Sequence, residues 1–473
     1  MHDDIGDTEN AIMSIVTTPD LERALDALRP QLKRWRRDFH HYAESGWVEF
    51  RTASIVAEEL ERLGYAVSVG RDVVDAGSRM GVPEPEFLAR ALERAREQGA
   101  IERWLPALAG GYTGVVAELD TGRPGPVLAY RVDLDALDLD ESDDDDHRPV
   151  QEGFASCNTG MMHACGHDGH TTIGLGLARL FVELKAQLSG RIKLIFQPAE
   201  EGVRGARSMV EAGVLDDVDL FIATHIGTGV PSGSVVCGHN GYLATTKLDA
   251  TFSGVPAHAG ANPEDGNNAL LAAAQAALGL HAIPRHSQGA SRINVGVLNA
   301  GSGRNVVPAN ATLKLETRGE TSAINDEMQR RALNVLHGAA QMQGVEMDYR
   351  LAGEARNCEP SPELVTFIRE RIDGLTGIDT VIPVENRPSG SEDATTMMQR
   401  VRERGGLATY MVFGADLSAG HHHQRFDFDE EVLPLAVRTL AHLALAADDP
   451  ALKRHIVKKD SPANNGSRRP RRD

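Results

Sequence analysis

Apolar residues recur along the chain with two different periods. Leu21, Leu25, Leu28 and Leu32 repeat at helical spacing after Thr18-Pro-Asp, where Asp20 or a neighbour is placed to cap. A second helical pattern covers Arg51 to Leu63 and stops at Gly64, a residue suited to a C-terminal cap. Residues 84–108, rich in Arg and Glu, predict a helical insertion. Residues 1–18 carry no clear period and predict a disordered N-terminus.

Further on, the pattern changes to short apolar runs bounded by Gly, Pro or Asp: Val115–Leu119, Val127–Val132, Ile192–Phe196, Leu220–Thr224 and Thr409–Phe413. Helical stretches separate most of them. Such runs predict strands buried on both faces of a mixed or parallel α/β sheet flanked by helices. Residues 243–355 differ. Their alternating segments, Lys247–Phe252, Arg292–Leu298 and Ala311–Thr317, accompany two long helical patterns, Asn268–His281 and Ile324–Gln343. That mixture predicts a smaller α+β domain inserted into the larger one. The expected organisation is a larger α/β domain from 19–242 and 356–449, the insertion at 243–355, and a tail at 450–473. The tail, with eight Lys or Arg against two Asp, predicts a disordered basic segment.

The 473 residues carry a formal charge of −19. An acidic body repels phosphate backbones and anionic membrane surfaces, so neither nucleic acid nor membrane is expected as a partner. Four scattered cysteines do not make a disulfide framework and point to a reducing compartment. The first residues have no basic stretch followed by an apolar core, and no apolar run approaches the ~20 residues of a membrane helix. A cytoplasmic protein is expected.

In α/β sheets, chemistry gathers outside the carboxyl ends of the strands. Those ends are rich in ligand atoms. Arg131-Val-Asp-Leu-Asp-Ala-Leu closes one run with Asp133 and Asp135. Gly160-Met-Met-His-Ala-Cys-Gly-His-Asp-Gly-His sets Cys165 and His167 two apart. Gln197-Pro-Ala-Glu-Glu-Gly brings the adjacent carboxylates Glu200 and Glu201. Leu220–Thr224 ends at His225, and His421, His422 and His423 follow the last run. Each piece alone is weak. Together, one thiolate, several imidazoles and a carboxylate form a ligand set for a divalent transition metal. A second, adjacent carboxylate could then serve as general base toward water acidified by the metal.

These segments, with His422-His-Gln-Arg-Phe-Asp-Phe-Asp-Glu, resemble the motifs of the metal-dependent amidohydrolases that cleave N-acyl amino acids. The resemblance spans about residues 30–445 and includes five motifs in order. Residues 37–53, 154–171 and 225–231 and the 84–108 insertion are most similar to the branch that hydrolyses p-aminobenzoyl-glutamate. Members acting on indole-3-acetyl-aspartate look similar as well. The resemblance implies metal ligands Cys165, His167, Glu201, His225 and His422, with His421 and His423 left as alternatives to His422. It implies Glu200 as general base and Asp133 as the residue that orients the site. Many relatives have a histidine two residues before that Asp; here it is Arg131. His163 and His170 are given structural roles, and Glu392 and Asp393 of Gly390-Ser-Glu-Asp-Ala-Thr no firm one. In the insertion, the resemblance implies substrate contacts from His258, Asn305 and Arg318, with His258 reaching an active site across a dimer interface. It implies manganese, with zinc favoured by the thiolate's softness, as one or two ions. The implied partner is a second copy of the chain or a related B-type subunit, and the insertion is expected to act as lid and dimerisation domain.

Overall fold

The computed structural model describes residues 19–457 except residue 388. The expected disorder of residues 1–18 and 458–473 lies outside the described residues. Among the described residues, twelve strands form two sheets. In chain order they are β1 Ala66–Val69, β2 Val115–Asp120, β3 Val127–Asp133, β4 Arg191–Gln197, β5 Leu220–Ile226, β6 Ser234–Val236, β7 Ala244–Ser253, β8 Ser291–Ala300, β9 Asn310–Gly319, β10 Glu346–Ala355, β11 Thr380–Ile382 and β12 Leu407–Phe413.

The larger sheet has the order β1-β2-β4-β3-β5-β12-β6-β11. Its centre, β4-β3-β5-β12, is parallel. The five apolar runs are therefore strands, and β3, β5 and β12 are buried along their whole length. Burial on both faces accounts for runs with no polar alternation. The short strands β1, β6 and β11 lack such a run. The helices Pro19–His41, His167–Glu183 and Val432–Leu445 pack on one another, and the second of them also packs on β3. The chain places the ends of β3, β4, β5 and β12 side by side because these strands are neighbours running one way.

The second sheet, β10-β7-β9-β8, is antiparallel throughout. Its alternation is that of a sheet with one buried face. Ala311, Leu313 and Leu315 point into a separate core under the helices Ala269–His281 and Ser322–Gln343. Asn268 and Thr321 cap these helices by accepting the N–H groups of Leu271 and Ile324. The opposite face carries Lys247, Lys314, Glu316 and Arg350 toward the larger sheet's strand ends.

Some local expectations change. The 84–108 segment is one helix, Pro85–Glu97, followed by a turn and a short helix Leu105–Leu108, since Gly99 takes a left-handed φ of 89°. The start of the expected disordered tail is ordered instead. Pro450–Lys453 is helical, Asp449 accepts the N–H of Ala451, and Leu452 is buried in the large core.

A buried ionic cluster joins the N-terminal helix to the site. The fully buried Arg36 pairs with Asp168 at 3.0 Å and Asp427 at 2.8 Å, and stacks over Phe428. Asp168 follows His167, and Asp427 follows the triple histidine. Burial alone would lower the pKa of His40, but hydrogen bonds to Asp168 and Glu141 raise it to about 9. Replacing Arg36 by Met keeps the stem but removes the fully buried cation between Asp168 and Asp427, leaving them only His40 and the half-buried Arg148, at an expected cost of about 3 kcal/mol. Urea unfolding should report a lower midpoint at unchanged slope. An unchanged midpoint would remove the cluster from the account of stability.

Candidate active site

The ligand residues come from separate strand ends. Cys165 and His167 sit where the loop after β3 enters the helix His167–Glu183, at the left-handed Gly166. Glu200 and Glu201 lie in the turn after β4, His225 near the end of β5, and His421 and His422 in the loop after β12. Cys165 Sγ stands 3.4 Å from His225 Nε2, and His422 Nε2 is 3.4 Å from Glu201 Oε1. Two groups of donors converge, Cys165–His167–Glu201 and Cys165–His225–His421, each within 4.8 Å and sharing the thiol. All of these except His167 line one cavity of about 550 Å³, together with Glu200, Lys247 and Arg318.

The tautomer of His167 is set from behind. Its Nδ1 lies 2.8 Å from the backbone oxygen of Asp135, to which it donates, and near the carboxylates of Asp133 and Asp135. Nε2 then points forward as the basic nitrogen. Among the described residues, this Nε2 and Glu201 Oε1 are buried without a hydrogen-bond partner. Burial and the neighbouring Glu201 push the Cys165 thiol up. A cation at this point would reverse that, because a coordinating thiol is held deprotonated. Two orphaned atoms, an imidazole nitrogen and a carboxylate oxygen, beside a buried thiol fit a divalent metal.

Glu200 stands 4.0 Å from His167 Nε2. Burial, then Glu392 and Glu201, push its carboxyl well above the usual range. Asp133 is the opposite case. Burial opposes its charge, yet His167, His170 and Arg131 hold it well below the usual range. Arg131 occupies the position where the resemblance anticipates a histidine. It is fully buried and donates to Asp133 Oδ2 at 2.7 Å, Gln197 at 2.8 Å and Glu392 at 3.1 Å. It acts as a clamp for carboxylates, not as a ligand.

Several other residues emerge only in three dimensions. Asp135 accepts the N–H groups of both Glu200 and Glu201. His170 bridges Asp133 Oδ1, at 2.6 Å, and the Ile226 N–H, at 2.9 Å. Both of its ring nitrogens are thereby engaged. Tyr410 donates to Glu392 at 2.6 Å, which gives Glu392 a place beside Glu200. Of the three histidines, His421 accepts the Thr228 N–H on Nε2 and leaves Nδ1 unpartnered among the described residues. His422, at φ 64°, faces Glu201, and Cys165 and Glu201 push its pKa up to about 10. His423 is exposed and accepts the Arg425 N–H. His163 is buried with neither ring nitrogen bonded among the described residues.

The insertion divides. Arg318 lines the cavity and is held by Glu316 through two bonds of 3.0 and 3.2 Å. His258 and Asn305 are exposed and adjacent to each other, His258 bridging to Val306 and the Asn305 carbonyl accepting the Ala259 N–H. The chain does not bring these two to its own cavity.

Residues 129–446 match peptidase family M20/M25/M40. The chain is 62% identical over 427 residues to an indole-3-acetyl-aspartic acid hydrolase of Enterobacter agglomerans, covering 90% of this chain and 98% of the relative. It is 61% identical over 425 residues to a protein of Escherichia coli (strain K12) named as one subunit of p-aminobenzoyl-glutamate hydrolase, with the same coverage of 90% and 98%. Among solved structures it is similar to an aminobenzoyl-glutamate utilization protein from Klebsiella pneumoniae, with TM-score 0.79, 57% identity and coverage of 90% and 98%. It is also similar to the Bacillus subtilis YXEP protein, described as a dinuclear metal-binding peptidase, with TM-score 0.61, 25% identity and coverage of 89% and 99%. A thiol, imidazoles and paired carboxylates at adjoining strand ends, and this likeness along nine-tenths of the chain, lead to one conclusion: the chain belongs to peptidase family M20/M25/M40 and is a hydrolase of amide bonds.

Proposed function

We propose that the chain hydrolyses the amide of N-acyl amino acids with an acidic amine half, p-aminobenzoyl-glutamate to p-aminobenzoate and glutamate first among them. The observation that carries this reading is the placement of Glu200 beside the unpartnered donors His167 Nε2 and Glu201 Oε1. The relatives whose names state acidic conjugates support the substrate class. Indole-3-acetyl-aspartate is the second reading, on the 62% identity to the enzyme named for it.

A divalent ion held by Cys165, His167, Glu201, His225 and His422 would polarise the acyl carbonyl and acidify water in the site. Manganese is the ion of this reading, with zinc as the alternative and one or two ions held. The chain's own part is proton transfer and orientation. Glu200 takes the proton from attacking water and later delivers it to the departing nitrogen. Its buried position beside Glu392 and Glu201 suits it to hold that proton between the two steps. Asp133 keeps His167 and His170 in place, and Arg131 keeps Asp133 ionised. Arg318, a planar fork already oriented by Glu316, receives a substrate carboxylate.

His258 and Asn305, exposed on the insertion, are read as completing the site of a neighbouring copy, His258 stabilising the oxyanion. The insertion is then lid and dimerisation domain at once. The alternative partner is a related B-type subunit, since one relative is named as part of a hydrolase with more than one kind of chain. Among the described residues no helix is long and apolar enough to cross a membrane. With four free thiols, the reading assigns the protein to the cytoplasm.

Steady-state hydrolysis of p-aminobenzoyl-glutamate and indole-3-acetyl-aspartate, with manganese added, tests the substrate. The glutamate conjugate should be the better of the two. Preference for conjugates of neutral amino acids over both would overturn the reading, and elemental analysis of protein purified without added metal decides the ion. Glu200→Gln should keep its metal content while kcat falls about 10²–10⁴-fold. Undiminished turnover would remove Glu200 from its role. Mixing inactive Glu200→Gln and His258→Ala chains should restore about a quarter of wild-type activity, since half the dimers are mixed and one of their two sites is intact. No recovery after exchange of chains would place His258 outside the partner's site.

A further inference from the structure

The cavity around the metal donors holds three cations that do not belong to the donor set: Lys247 on β7, Arg318 on β9, and Arg387. Two are already engaged. Arg318 is bound to Glu316, and Arg387 donates to Glu385 at 2.8 Å. Lys247 has no hydrogen bond and no ion pair within 4 Å among the described residues. Glu316 faces it across the β7–β9 ladder, but its two carboxylate oxygens accept from Arg318.

The ammonium is also half-buried, and burial pulls its pKa down. The stem runs beside Gly353, where an added Cβ would come within 3.3 Å of Lys247 Cδ. A partly desolvated ammonium without a partner costs free energy. Its place makes that cost intelligible, because Lys247 lines both this cavity and the adjoining one of about 670 Å³, at the seam they share with Glu201 and His422. An anion held there lies beside Glu201 and His422.

We propose that Lys247 binds the side-chain carboxylate of the amino-acid half and so determines the preference for acidic conjugates. This rests on the acidic-conjugate reading above. Such a substrate presents two carboxylates, and the cavity offers two cations from neighbouring strands of one sheet. The planar Arg318 suits the carboxylate held rigidly beside the amide, whereas a point charge on a flexible stem suits one on a flexible side chain.

The test compares kcat/KM for p-aminobenzoyl-glutamate and p-aminobenzoyl-glutamine in the metal-loaded wild type and in Lys247→Met. The glutamate-to-glutamine ratio should fall about 10–100-fold in the variant, mainly through KM, and Lys247→Arg should recover most of it. Lys247→Gln gives the same reading from a polar side chain if the methionine variant does not fold. A ratio within about threefold of wild type in the neutral variants would overturn the assignment. A wild type with no preference for the glutamate conjugate would instead overturn the substrate reading itself, so the two failures are distinguishable.

Discussion

The carboxylate of Asp135 accepts two backbone N–H groups in succession, from Glu200 and Glu201, each at 2.9 Å. Its own carbonyl takes the Nδ1 proton of His167. One residue just beyond β3 thereby sets the positions of Glu200, Glu201 and His167. The turn it holds is strained. Ala199 and Val203 have φ of 50° and 60°, in a region that L-residues seldom adopt. Glu49 accepts the Ala199 N–H at 2.7 Å, and Gly205 closes the turn where a Cβ would lie 1.7 Å from the Pro198 carbonyl oxygen. With these bonds in place, Glu200 and Glu201 point into one cavity from adjacent positions, which a regular strand would forbid because its side chains alternate.

Electrostatics follow from that arrangement. The site gathers Asp133, Glu200, Glu201, Glu392 and Asp393 in a protein whose net charge is already −19. The fully buried Arg131 answers three of these, bonding Asp133 and Glu392 and pairing with Asp393. Burial, with Glu392 and Glu201 beside it, raises the proton affinity of Glu200, whereas His167, His170 and Arg131 overcome burial and lower that of Asp133. Net charge disfavours polyanionic partners but says little about a small dianion. Beside these acids the cavity is lined by a few placed cations, Arg318 and Lys247 among them.

Much of the site was legible because its residues lie at the ends of apolar runs. Cys165, His167, Glu201 and His225 converge as their motifs implied, and Glu200 lies against them. The choice among the C-terminal histidines was not legible. Three identical side chains in a loop differ only in backbone direction: His421 is half-buried, His422, at a left-handed φ, reaches Glu201 although its side chain is 54% exposed, and the exposed His423 bonds only back to Arg425. Asp135 and His170 stood inside the motifs but their bonds were not legible, and Lys247 was silent. Their importance comes from what the neighbouring strand places opposite them.

The order of apolar runs and motifs, set by the demand that buried strands be apolar throughout, determined the α/β class, the inserted sheet and the donor types. Strand order, the strained turn and the shared cavity between the two sheets were decided by tertiary structure alone. Hydrogen bonds such as that from Glu201 to Asp135 join residues 66 positions apart, and linear spacing does not encode which strand ends become neighbours.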